Sequence, residues 1–279
     1  MFAYRGKTAL VTGASSGIGE ALARALARRG MQLILVARSK EKLVTLAEEF
    51  ADRYRTRAEV IAIDLGRDGS ARQVYEETER LGMPVDMLVN NAGFSNYGHF
   101  EDVPLDRDHQ QMMVDVAALV DLTHAFVPGM LERGAGVVVN VASIVSFWPL
   151  PYQSVYGASK AFILSFSQAL AVEYQGRGIQ VLALCPGSTA TSFFVVSDAH
   201  ILSERSSLLG RMRSPEQVAL TAIKALEQGK VVAVDGVPNA LLTRIQRFVP
   251  PLLLARATAK TIRPRDRRFV IQPERAKSP

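Results

Sequence analysis

In the run VYGASKAF, residues 155–162, a phenol and an ammonium stand four positions apart, at Tyr156 and Lys160. On a helix, residues at that spacing lie one above the other on a single face. One reading is an amphipathic helix turning its polar groups to water. The other is a proton-transfer pair. A phenol ordinarily titrates at about 10, too high for acid–base work near neutrality, and a neighbouring cation favours its ionised form. The pair alone does not decide, because Tyr-x-x-x-Lys is common in ordinary helices.

A second group of residues has the spacing of an anion site. In TGASSGIG, residues 12–19, Gly13, Gly17 and Gly19 follow the apolar run KTALVT and precede the helix-like EALARALARRG, for which Gly30 is the expected C-cap. Glycines so placed allow a tight turn and close approach of backbone to phosphate. Ser15, Ser16 and Ile18 complete the turn, and the following helix offers unpaired N–H groups to an anion. The next apolar run, QLILVA (32–37), ends at Ala37 and Arg38. A carboxylate there would take the adenosine ribose hydroxyls and repel a 2′-phosphate. Arginine instead offers charge-assisted hydrogen bonds to that phosphate, so NADP is expected over NAD; the alternative is a solvated arginine at a strand end.

These groups need elements to hold them. The 279 residues, with 48% hydrophobic and 22% charged side chains, suit a soluble globular protein of one large α/β domain or two small ones. The runs KTALVT, QLILVA, EVIAI, VDMLV, GVVVNVA, IQVLAL and KVVAV alternate with helical stretches around 20–30, 39–54, 70–81, 106–132, 153–175 and 215–227. Seven apolar strands alternating with helices predict a parallel sheet covered on both faces, in a single doubly wound Rossmann-type domain. Ser39 is a candidate N-cap for the second helix. One cysteine, Cys185, excludes an intramolecular disulfide. No apolar run approaches the ~20 residues of a membrane span. The chain enters its first strand almost at once, which leaves no room for a signal peptide, and a cytoplasmic location is expected. No metal site is expected.

With these elements in order, the chain resembles the short-chain dehydrogenase/reductase family over roughly residues 5–235. TGASSGIG resembles the family's glycine motif, and NNAG (90–93) the motif ending its fourth strand. NVAS brings Ser143, YGASK brings Tyr156 and Lys160, and PGSTAT (186–191) follows the sixth strand. The resemblance implies that Tyr156 is the general acid in carbonyl reduction and the base in alcohol oxidation. Lys160 would assist it and hold the nicotinamide ribose, and Ser143 would stabilise charge on the reacting oxygen. It further implies that Asp64 and the Leu65 backbone meet the adenine, and that Asn91, Ala92 and Gly93 line the cofactor. Pro186, Gly187, Thr189 and Thr191 would then embrace the nicotinamide carboxamide. The small Gly157, Ala158 and Ser159 would let cofactor and substrate approach the helix. Pairing through the helices 106–132 and 153–175 into a homodimer or homotetramer is also implied.

One position departs from the family pattern. Where an asparagine usually completes a tetrad with serine, tyrosine and lysine, the alignment places Asp115. Its main-chain carbonyl could serve the same purpose, and a buried carboxylate there would favour a charged Lys160; a shift of one residue in register would make it a surface acid instead.

The substrate is less defined. IVSFWPLPYQ (144–153) and SFFVVSDAHIL (192–202) flank the expected pocket, and Phe147, Trp148, Phe193 and Phe194 would suit an apolar ketone, aldehyde or secondary alcohol. Alternatively they pack a lid or an oligomer contact.

Residues 240–279 fall outside the catalytic domain of 1–239. From Arg244 onward there are ten Lys or Arg against two acidic residues, so the basicity belongs to this tail. Leu241, Leu242, Ile245, Phe248 and Val249 fall on one helical stripe, which Pro250 and Pro251 must interrupt. Docking on the protein itself or a partner subunit is expected in preference to an anionic membrane surface, and no recognition motif points to nucleic acid. Two rival classes remain: an NADP-binding sensor or scaffold without turnover, and a membrane- or partner-binding protein acting through the tail.

Overall fold

The computed structural model describes residues 2–191 and 212–264. Seven strands form one sheet: β1 (Thr8–Thr12), β2 (Gln32–Ala37), β3 (Ala58–Ala62), β4 (Met87–Asn90), β5 (Gly136–Val141), β6 (Ile179–Cys185) and β7 (Val232–Val234). Their order is β3-β2-β1-β4-β5-β6-β7, and every pairing is parallel. The helices between them are α1 (Gly17–Ala27), α2 (Lys40–Tyr54), α3 (Ser70–Leu81), α4 (Leu105–Met112), α5 (Ala118–Glu132), α6 (Ser154–Glu173) and α7 (Pro215–Glu227). Two more follow β7: α8 (Val237–Ile245) and α9 (Pro251–Ile262). The division expected after residue 239 falls inside α8.

Alternation along the strands explains the two layers. In β1, Ala9 and Val11 pack with Leu22 and Leu26 of α1 and with α7, whereas Leu10 faces Val74 of α3 and Leu122 of α5. Both sheet faces are covered, so the strands read as continuous apolar runs. The strand order reverses between β1 and β4, and the C-terminal strand ends on either side of that point form the crevice where such sheets bind ligands.

Helix ends differ from expectation in two respects. α1 stops at Ala27 with Arg28 at its C-cap, and Gly30, at φ +78°, supplies the left-handed turn into β2. Ser39 does precede α2, but its side chain makes no capping hydrogen bond.

Two helical stretches, Leu105–Glu132 and Ser154–Glu173, are apolar and long enough by composition to cross a membrane, although no contiguous run suggested it. Their inner faces pack on the sheet and carry Asp115 and Lys160, which are buried. Core helices of a parallel sheet meet the same test.

Below the crevice, a buried polar chain ties β4 and β5 to these helices. Asn90 donates to Asn140 Oδ1 at 2.9 Å and to Thr123 Oγ1 at 3.2 Å, and Asn140 donates to Ser167 Oγ at 2.9 Å. Such a network fixes the strand ends because each donor left without its acceptor costs about 1–3 kcal/mol.

Candidate active site

The first strand runs into a turn that only small residues can build. Gly13 and Gly17 have φ of +64° and +60°, and a methyl group on Gly13 would stand 2.7 Å from Asn91 Nδ2. Asn91 donates from Nδ2 to the Thr12 carbonyl at 2.9 Å, while its own N–H and that of Ala92 both donate to Thr12 Oγ1. The end of β4 is thereby stitched to the turn. Thr12 is a positioning residue that its ordinary strand context did not betray.

The turn opens into a cavity of about 510 Å³. Gly13, Ser15, Ser16, Gly17 and Ile18 line it, as do Arg38, Asp64, Leu65, Asn91, Ala92 and Gly93. Ser143, Tyr156, Lys160, Pro186, Gly187, Thr189 and Thr191 line it too. Gly19 does not. A side chain there would strike the Gly13 carbonyl and Asn91, so Gly19 lets α1 close against the turn. Arg38 is exposed at the cavity edge, and among the described residues no carboxylate pairs with it. Asp64 accepts from the Gly66 N–H at 3.0 Å, which shapes the end of β3. Arg107, Gln110 and Val114 complete this wall. Their i, i+3, i+7 spacing was a legible sign of one helix face.

Ser143 caps a short 3₁₀ turn, Ile144–Phe147. Its Oγ accepts from the Val145 N–H at 3.3 Å, and its own N–H donates to Ser146 Oγ at 3.2 Å. The hydroxyl also shares a hydrogen bond with Tyr156. Lys160 Nζ lies 5.5 Å from the centre of the Tyr156 ring and donates to the Val141 carbonyl at 3.2 Å. Behind it, 3.7 Å from Nζ, is Asp115 Oδ2.

Asp115 is buried, so the surface alternative is excluded. It sits in a π-helical turn, Met113–Ala117, between α4 and α5; such turns insert one extra residue and recur at functional sites. Its Oδ1 accepts from the Phe94 N–H at 3.1 Å. Gly93 must lack a side chain, since a methyl group there would lie 2.8 Å from Asp115 Oδ1 and 3.3 Å from Lys160 Nζ. Burial pushes the Asp115 carboxyl up to about 6, against the pull of Lys160 and the Phe94 N–H.

Lysine was expected to favour a tyrosinate. Instead burial, and then the Asp115 charge, raise the Tyr156 phenol well above its ordinary value, opposed by the Ser143 hydrogen bond. The protein itself holds that proton on. Cys185, next to the serine, is buried and its thiol is pushed up to about 12, which removes it as a nucleophile.

Gly157 and Ser159 are buried and Ala158 is exposed, and none of them lines the cavity. A methyl group on Gly157 would lie 2.9 Å from Leu150 Cβ, so this glycine admits Leu150 rather than a ligand. Phe147 and Trp148 are not cavity residues either; Phe147 packs beside Leu119 and Ile163. Ile144, Val145 and Leu150 supply the apolar wall. Phe193 and Phe194 lie outside the described residues.

The segment after β6 is held by an ion pair between half-buried Arg213 and buried Asp235. Arg213 donates to both oxygens of Asp235, at 2.9 and 3.1 Å, and its backbone bridges to Ser188 and Ala190. The last wall comes from far along the chain: Thr258, Thr261 and Ile262 of α9 line the cavity, and Tyr97 donates to the Ile262 carbonyl at 2.6 Å.

The geometry fits a dinucleotide: a cradle of backbone at a helix start, a cation at the edge, and a proton donor at the far end. Comparison with known proteins agrees. A family model described as short chain dehydrogenase matches residues 7–200. A short-chain dehydrogenase from Sphingobium yanoikuyae, solved in complex with NADPH, superposes with a TM-score of 0.77 at 30% identity, covering 86% of this chain and 94% of that one. A sulfoacetaldehyde reductase from Chromohalobacter salexigens is 39% identical over 67% of this chain and 74% of its own. A very-long-chain 3-oxoacyl-CoA reductase from Anas platyrhynchos is 38% identical over 69% of this chain, and the match spans 62% of that protein's length.

Proposed function

The chain belongs to the short-chain dehydrogenase family, a nicotinamide-dependent oxidoreductase acting between carbonyl and alcohol, and from that premise we propose that it reduces an apolar ketone or aldehyde with NADPH. The observation that carries this reading is the Tyr156 hydroxyl, hydrogen-bonded to Ser143 and beside Lys160, opening into the cavity that begins at the glycine turn. When bound, the cofactor supplies hydride to the carbonyl carbon. Tyr156 gives its proton to the carbonyl oxygen, and the Ser143 hydroxyl holds that oxygen as charge builds on it. A phenol kept protonated by burial suits donation, and hence reduction. Ile144, Val145 and Leu150 favour an apolar substrate.

The test is NADPH and NADH consumption with a panel of apolar ketones and aldehydes. Turnover with NADPH is expected; consumption of neither cofactor with any member would refute the reading. Arg38 supplies the cofactor preference. Arg38→Asp is expected to lower kcat/KM for NADPH by about ten- to a hundredfold, with no loss for NADH. Equal losses with both cofactors would remove Arg38 from this role.

Asp115 sets the pH dependence. Its carboxyl is charged above about 6, and that charge helps hold the proton on Tyr156. In Asp115→Asn the charge is gone at every pH, so the phenol titrates lower. Loss of reduction at high pH and gain of oxidation should both move to lower pH, by on the order of one unit, and any inflection near 6 should vanish. A pH–rate profile identical to the parent's would contradict this.

We further infer that copies pair through α5 and α6, as in the family. On α6 the outward Phe162 and Val172 are 41% and 72% exposed, more than a helix facing water needs. Light scattering should give two or four copies; a monomer would overturn the inference.

A further inference from the structure

Neither the catalytic fold nor the cavity uses the outer face of the segment behind β7. Sixteen large apolar side chains are exposed among the described residues, and seven of them fall between Val237 and Leu253. α8 presents Val237, Leu241, Leu242 and Ile245; Phe248, in the turn that follows, is 82% exposed, and Leu252 and Leu253 open α9. On α8 the four fall within about half a turn, with Arg244 at the edge of the same face. On α9 the exposed leucines share a side with Arg256 and Lys260, both exposed, and Arg263, exposed as well, follows the helix end. From residue 236 to 264 the chain has five Lys or Arg and no Asp or Glu.

The inner side of α9 is occupied. Leu254, Ala255, Thr258, Ala259 and Ile262 are half-buried, and the Tyr97 bond to Ile262 fastens the helix end at the cavity. Docking on its own protein thus accounts for one side of α9 and leaves the leucines and cations outward.

We propose that this face docks on an anionic lipid surface, with the apolar side chains entering the headgroup boundary and the arginines and lysine meeting lipid phosphates and carboxylates. Charge decides between occupants. A second copy seated on it through a two-fold axis would set the same patch against itself, bringing five cations against five with no acidic side chain in the segment to pair them. An anionic bilayer supplies the missing charge. α9 then lies between the lipid and the cavity.

The test is sedimentation of the full chain with phosphatidylcholine vesicles, with and without phosphatidylserine, at low and high salt. The chain is expected to sediment only with the phosphatidylserine vesicles, and less at high salt. The triple substitution Arg244→Glu, Arg256→Glu, Lys260→Glu should weaken partitioning at least about tenfold. Leu241→Ser with Phe248→Ser should weaken it too. Both variants should keep the parent's melting temperature and NADPH affinity, since none of these side chains is buried or lines the cavity. Equal sedimentation with neutral vesicles, none with either kind, or variants that bind as the parent does would overturn the proposal. So would light scattering in which the serine variant splits an assembly of copies without altering vesicle binding.

Discussion

Tyr156→Phe is expected to lower kcat for carbonyl reduction by about 10²–10⁴-fold while NADPH affinity stays the same. The substitution removes one oxygen and leaves the ring, which packs beside Lys160 Nζ at 5.5 Å. The parent phenol is held protonated by burial and by Asp115, so the proton is in place before a carbonyl arrives. Without it, the developing alkoxide keeps the Ser143 hydroxyl, and water would have to supply the proton in a cavity walled by Ile144, Val145 and Leu150. Fluorescence titration with NADPH, run beside the kinetics, separates chemistry from binding. A variant that keeps most of its kcat would remove Tyr156 from the reaction, whatever the substrate.

Lys160→Met should cost more, because two effects coincide. The ammonium is buried, bonds the Val141 carbonyl at 3.2 Å and lies 3.7 Å from Asp115. Its loss strips the one cation that, among the described residues, pairs with a buried carboxylate, a change worth about 3–5 kcal/mol of stability. The pH dependence of that loss follows from the Asp115 carboxyl. Its folded-state value is already raised to about 6 by burial, and removing the cation raises it further. A raised carboxyl contributes stability that is present below its unfolded value and is lost as pH climbs through the folded one. The Lys160→Met deficit should therefore be small in mild acid and widen as pH rises past 6, as urea unfolding at several pH values would reveal. Adding Asp115→Asn removes the stranded charge and should restore most of the stability. Activity should stay more than about a hundredfold down in both variants, because neither has a cation beside Tyr156. If the double variant regains activity along with stability, the lysine is a structural ion-pair partner and nothing more.

The seven-stranded parallel sheet and the glycine turn could be read from the residues themselves, and the convergence of Ser143, Tyr156 and Lys160 from the family resemblance. Strands of a two-sided parallel sheet are continuous apolar runs, and the residues at their C-terminal ends are brought to one crevice by topology alone. Gly13, Asn91, Ser143 and Pro186 each close a strand or begin the turn after one, so their places follow from the strand count. What escaped was set by packing between distant segments. Gly157 looked like room for a ligand, yet Leu150 occupies that space, a contact no local pattern encodes. Asp115 could be inward or outward until the π-helical turn fixed its direction. The α9 wall carries no motif, and Thr258 reaches the cavity because Tyr97 and the half-buried side of the helix fold it back. Phe147 and Trp148 have the composition of pocket residues, but the 3₁₀ turn after Ser143 directs Ile144 and Val145 there in their place.

The most direct measurement is the fate of hydrogen in a single turnover. Enzyme, NADPH deuterated at the transferring position of its nicotinamide, and the best ketone of the panel are mixed in ordinary water, and the alcohol is examined by mass spectrometry. The account predicts one deuterium on the carbinol carbon with the parent enzyme, and none formed at a comparable rate by Tyr156→Phe although that variant binds the cofactor. Alcohol without deuterium, or equal deuterium transfer by both proteins, would contradict it.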